Sequence, residues 1–166
     1  MNLFSTAAEL DQELERAGVV NPDGRFLIHD PARFREETVD GLAWTAVFGG
    51  RESREPARTA IREAAASLGI LPASIAPLYE ARGRGEVSGF TVPAMNVRVL
   101  SYDTARAALR AARNLEVGAL VFEIARSEMG YTDQRPGEYA AVVLAAAIKE
   151  GHEGPVFIQG DHFQMN

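Results

Sequence analysis

The chain contains no cysteine. Disulfide frameworks, cysteine-rich zinc sites and thiol nucleophiles are excluded together, and a cytoplasmic protein is expected. Positive charge is also short: 17 Lys and Arg stand against 23 Asp and Glu, for a net charge of −6. That balance argues against a general binder of nucleic acid or anionic membrane. Long hydrophobic runs are missing too. The most apolar stretch, Tyr139 to Ile148, is too short for the roughly 20 residues that cross a bilayer. The opening MNLFSTAAELDQELERAG carries acids where a signal peptide has a positive start and an apolar core. There is no P-loop, no GxSxG and no HExxH. Gly83-x-Gly85-x-x-x-Gly89 precedes a strand instead of following one, so it reads as a hinge and not as a dinucleotide fingerprint. The single tryptophan, Trp44, is expected in the core of the N-terminal part. With 46% hydrophobic and 24% charged residues, close to globular averages, 166 residues fit one domain, or one small domain plus part of another.

The first half reads as helices. Thr6 and Glu9 have capping-box spacing and start a helix to about Arg16, with Leu10, Leu14 and Val19 as its apolar stripe. Asn21-Pro22-Asp23-Gly24 is a turn, and Phe26-Leu27-Ile28 a short extended segment. Asp30-Pro31 is N-cap and N1 of a helix that is interrupted or ends near Asp40-Gly41, with a second piece carrying Leu42 to Phe48. Ser53 is expected to cap the next helix, which stops at Gly69. Leu71-Pro72 breaks the chain before a helical segment around Ile75–Ala81.

From about residue 86 strands and helices alternate. Phe90–Val97 is strand-like, and Pro93 within it points to a strand that starts late or lies at an irregular edge. The helix from Ser101 or Asp103 puts Ala105, Ala108, Leu109, Ala112 and Leu115 on one face, and Arg106, Arg110 and Arg113 on a solvated one. Gly118–Ala125 is the second strand. Pro136 starts a helix that is apolar almost all round over Tyr139–Ile148, which predicts burial on two sides. Pro155 opens the third strand, Val156-Phe157-Ile158, followed by Gln159, Asp161, His162 and Gln164, with Asn166 ending the chain.

The expected fold is therefore α/β: a mostly helical extension over residues 1–85, then a β-α-β-α-β unit over 86–166 with parallel strands and right-handed crossovers. The spacing suits a doubly wound sheet or a (β/α)8 barrel, and a whole barrel takes about 250 residues. The third strand would be left with a partnerless edge. Each strand ends in polar residues: Asn96 and Arg98, then Glu123, Arg126, Ser127 and Glu128, then Asp161, His162 and Gln164. Parallel α/β sheets bind ligands at that end. His152 and His29 are discounted as ligands. An imidazole beside a carboxylate at 161–162 suits a divalent metal, with the Asp as base or supporting partner.

Thr91-Val92-Pro93-Ala94-Met95-Asn96-Val97 resembles the first-strand PAFNV motif of class II, metal-dependent ketose-bisphosphate aldolases (the fructose- and tagatose-bisphosphate aldolases). Asp103–Ala112, Ala119–Ile124 and Val156–His162 resemble, in order, that family's first helix, second strand and third strand ending in Asp-His. The resemblance covers residues 86–166. It implies the first three β/α units of a TIM (β/α)8 barrel, a Zn2+ cofactor, and reversible cleavage of a ketose (bis)phosphate to dihydroxyacetone phosphate and an aldehyde. It assigns His162 as a zinc ligand, Asp161 as the proton-transfer residue and Asn96 to the substrate. The family's second-strand serine is Ala125 here, and Ser127 is a loose substitute for substrate binding. One histidine does not hold catalytic zinc, which takes three protein ligands, and the family draws its others from later strands. The 166 residues are thus expected to be an N-terminal part without activity alone. The expected partners are a phosphorylated sugar and either further copies in a homo-oligomer or the remainder of the barrel, with no nucleic acid and no membrane. The alternatives are a non-catalytic aldolase-like subunit or regulator, and a small α/β module that binds a polar ligand.

Overall fold

The computed structural model describes residues 3–22 and 25–163. Helix α1 (Ala7–Arg16) starts at Thr6, whose hydroxyl accepts from Glu9 N while the Glu9 carboxylate reaches back to Ser5 N. Two strands of two residues each follow as an antiparallel pair, β1 (Val19–Val20) with β2 (Leu27–Ile28). Of the turn expected between them, Asp23 and Gly24 lie outside the described residues. Asp30 caps α2 (Pro31–Arg33), accepting from Arg33 N at 3.0 Å. The helix does not end at Gly41. It passes through a π-helical segment, Phe34–Thr38, that turns Phe34 and Thr38 inward, and continues as α3 (Val39–Phe48). Helix α4 (Arg51–Ser67) begins at Gly50, so Ser53 is buried within it and is not its cap.

The break expected at Leu71-Pro72 is in fact a strand. β3 (Leu71–Ala73) joins β4 (Ala94–Asn96), β5 (Val121–Ala125) and β6 (Pro155–Asp161) in one parallel sheet of order β3-β6-β5-β4. The α/β class with parallel strands is therefore present, and the edge of β6 expected to be bare is covered over Pro155–Phe157. Propensity hides this strand, because proline is poor in a ladder interior; at a sheet edge it is tolerated. Helix α5 (Ala76–Gly83) follows β3. The β3-to-β4 connection joins the two edge strands of the sheet. Ile75, just before α5, lines a cavity together with Val121 and Phe157.

Helices α6 (Ser101–Asn114) and α8 (Pro136–Lys149) connect β4 to β5 and β5 to β6, with α7 (Arg126–Thr132) as a short extra turn after β5. Helix α8 is buried on nearly every side, from Tyr139 to Ile148. It lies against α6 and the sheet on one side and against α3 and α4 on the other. One continuous core cluster accordingly runs from Phe34, Leu42 and Ile61 through Val143 and Leu144 to Phe122, Ile124 and Val156.

Two polar contacts tie the same layers together. Asp40 accepts from the Tyr102 hydroxyl at 2.6 Å and from Lys149 Nζ at 2.8 Å. The arginines of α6 are not a purely solvated face: Arg106 Nε pairs with Glu150 at 2.7 Å, and Arg113 donates to the Glu150 carbonyl at 2.8 Å. Trp44 is not core either, being 37% exposed. Among the described residues no helix is long and apolar enough to cross a membrane.

Candidate functional site

In parallel strands, residues in register stand side by side, and alternate residues face the same way. The register aligns Asn96, Glu123 and Gln159 in one row, with Ala125 and Asp161 in the next row toward the strand ends. This is the face opposite Phe122, Ile124 and Val156, which belong to the core beneath α6 and α8. The sequence pattern produces it directly, since every second residue of VFEIA and of VFIQGD falls on one face.

The row is hydrogen-bonded across the strands. Gln159 Nε2 donates to the Glu123 carboxylate. Asn96 Nδ2 donates to Asp161 Oδ2 at 3.0 Å and to Glu128 Oε1 at 3.1 Å. Asn96 and Asp161 sit on strands that flank β5, and the small Ala125 at the end of β5 leaves room for them to meet. His162 follows with φ of 88°, a left-handed conformation that non-glycine residues adopt at a cost. Its Nε2 lies 2.8 Å from Asp161 Oδ1, with the imidazole 86% exposed.

Glu128 organises the other half of the cluster. It stands at the third position of α7 and reaches back to the Ala125 N–H at 3.0 Å. Ala125 has no side-chain oxygen to return the contact, so Glu128 provides one half of a capping box. Arg98 Nε donates to its Oε1 at 2.5 Å. The carboxylate is 4% exposed. Burial alone would favour the neutral form, but the Ala125 N–H, the Asn96 amide and the Arg98 guanidinium outweigh it and hold the carboxyl below its ordinary range. Beneath the rim Tyr139 is fully buried, and burial pushes its phenol up, so it stays a neutral hydroxyl.

No family model, curated protein or solved structure matches the chain. Of the four residues singled out in the sequence, Asn96, Asp161 and His162 come together. Ser127 lies on the exposed side of the first turn of α7 and, among the described residues, has no hydrogen bond to them. Gln164 and Asn166, also part of the polar tip, lie outside the described residues. Glu128 stood among the polar strand-end residues without a role. The available signal was an acid three residues past a strand-end Ala that cannot cap.

Among the described residues no three His, Asp or Glu side chains are grouped to hold a metal ion. Both oxygens of Glu128 are committed to nitrogen donors and the Glu123 carboxylate accepts from Gln159, which leaves Asp161 and His162. Two groups fall short of the three protein ligands of a catalytic zinc, so the described residues do not by themselves fit one.

Proposed function

We propose that the chain carries the first three β/α units of a class II aldolase-like (β/α)8 barrel. Its sheet rim takes a ketose phosphate, whose reversible cleavage to dihydroxyacetone phosphate and an aldehyde needs zinc ligands beyond those among the described residues, so the chain is inactive alone. The hydrogen bond between Asn96 and Asp161, 65 positions apart, carries the reading. It joins the two strand tips that the resemblance marks, at the end of the sheet where parallel folds bind ligands. Asp161 takes the proton of a substrate hydroxyl as the C–C bond breaks and returns it in the aldol direction. Asn96 holds one Asp161 oxygen in place. The other oxygen faces the exposed imidazole of His162, a contact that an incoming hydroxyl can replace. Arg98, 59% exposed, supplies positive charge for a phosphate.

The resemblance implies zinc, with His162 as a ligand. The described residues do not complete that site, and no step is assigned to the metal. The upper edge of β6, beyond its pairing with β3 at Pro155–Phe157, supports the addition of a further strand, from the remainder of the barrel or from a second copy. The incomplete ligand set also favours a second reading, a non-catalytic aldolase-like subunit that binds the same polar ligand.

Titration calorimetry with dihydroxyacetone phosphate tests the shared part of both readings. Saturable binding is expected, lost at least about tenfold in Asp161→Ala and little changed in Ser127→Ala. No heat at millimolar ligand would sink both. With zinc added, the 166-residue chain is expected to leave fructose 1,6-bisphosphate uncleaved. Turnover would show that the described residues do supply a working metal site.

A further inference from the structure

The end of β6 folds back on itself. Gly160 and Asp161 point to opposite faces of the sheet, Asp161 toward the rim beside Ala125 and Gly160 toward the helices beside Ile124. A Cβ at position 160 would collide with the ring of Phe163. The ring therefore lies against Gly160, on the helix side of the strand. Gly160 is within β6 and its φ is not positive. The glycine is thus required by the close approach of the ring and not by its own dihedral. To bring position 163 back onto position 160, the chain reverses at Asp161-His162. His162 supplies the reversal with its φ of 88°, at a cost in backbone strain. An imidazole as exposed as this one gains little from packing. The cost is offset by the Phe163 ring on Gly160 and by the 2.8 Å contact with Asp161.

We propose that Phe163 and Gly160 are positioning residues for the rim. The ring, seated on the glycine, holds His162 in its left-handed conformation and so keeps the imidazole against Asp161. The proposal rests on the reading of Asp161 as the residue that meets the ligand. With the ring gone, His162 relaxes to an ordinary backbone conformation and carries its imidazole away. The arrangement that binds then becomes the minor one, and the apparent affinity falls by the fraction that remains competent. For strain of this kind that is about tenfold. A core role would bury the ring, yet Phe163 is 48% exposed. In Gly160-Asp161-His162-Phe163 the inner pair presents polar groups and the outer pair fixes the turn that presents them.

NMR spectroscopy and calorimetry on the 166-residue chain test the clasp separately from the ligand. A positive φ at His162 is expected to give a strong NOE between its own amide and α protons. The ring current of Phe163 is expected to displace the Gly160 α-proton resonances. Both signals are expected to vanish in Phe163→Ala and to persist in Phe163→Tyr, which keeps the ring. Dihydroxyacetone phosphate is expected to bind Phe163→Ala about tenfold more weakly and Phe163→Tyr as tightly as the wild type. Gly160→Ala expels the ring and is expected to weaken binding by a similar factor, but to add nothing in the Phe163→Ala background. Positions 160 and 163 are both exposed, so these variants keep the fold, and a merely structural role would leave the affinity unchanged. Three outcomes overturn the proposal: a His162 NOE that survives Phe163→Ala, an affinity that Phe163→Ala does not change, or a Gly160→Ala loss that is as large without the ring as with it. A wild-type chain that binds no dihydroxyacetone phosphate sinks the ligand reading instead, and the two NMR signals then decide the clasp alone.

Discussion

Leu144→Ala is expected to destabilise the chain by about 3 kcal/mol, enough to lower the melting temperature by roughly 6–12 °C. Leu144 is 1% exposed, in the middle of α8. Truncating a fully buried leucine loses its transfer energy and leaves a cavity that neighbours on all sides cannot close. Against a total of about 5–15 kcal/mol this is a large fraction. The form of the loss matters as much as its size. Helix α8 is shared by α3 and α4 on one side and by α6 and the sheet on the other. Trp44 emission reports α3, and hydrogen exchange of the Phe122 and Ile124 amides reports β5. Both are expected to shift by the same amount in one transition. Leu115→Ala, at a 75% exposed position, is expected to change stability by less than about 0.5 kcal/mol. Separate transitions for the two probes would mean that the helical layer and the sheet hold together independently.

Helix α8 also shows what the sequence makes legible. An unbroken run of Ala, Val, Leu and Ile at helical length has no solvent face, so burial on two sides follows from the pattern alone. The parallel strands 94–96, 121–125 and 155–161 are legible for a similar reason, as short apolar runs between helices with opposite faces. What escapes is set by long-range pairing. β3 is only three residues long, one of them a proline, and only the free edge of β6 makes it a strand. The π-helical segment at Phe34–Thr38 keeps a helix going where Asp40-Gly41 looks like a stop, because Phe34 and Thr38 are both buried there. Trp44 reads as core by residue type, yet it borders an open cavity. At the rim, Asn96, Asp161 and His162 are visible as residues but their contact is not, since it depends on the sheet register. Glu128 is hidden because its importance comes from three donors drawn from β4, the loop after β4 and the end of β5.

Glu128→Ala is the second substitution with a large expected effect, about 3 kcal/mol at pH 7. It leaves the buried Ala125 N–H without its acceptor and takes one of the two carboxylates away from the Asn96 amide. Arg98 is exposed and turns to water, so its share of the cost is small. The pH dependence separates a charged anchor from simple packing. Burial opposes ionisation of Glu128, but its three donors prevail and its folded-state value lies below the ordinary one. A depressed carboxyl contributes fully above its unfolded value, about 4.3, and loses that contribution as pH falls through the folded value. The stability gap between wild type and Glu128→Gln is therefore expected to be constant from pH 7 to about 5 and to narrow as pH falls below the unfolded value of about 4.3. Urea unfolding at those pH values measures it. A gap that stays constant down to pH 3 would mean that the ionised carboxylate contributes nothing beyond its shape. The same variant bears on the rim, because the Asn96 amide spans Glu128 and Asp161. Freed from Glu128, Asn96 holds Asp161 less firmly. Binding of dihydroxyacetone phosphate is then expected to weaken severalfold in Glu128→Gln even at pH 7, where the folded population is still complete, whereas a purely structural role for Glu128 would leave that affinity unchanged.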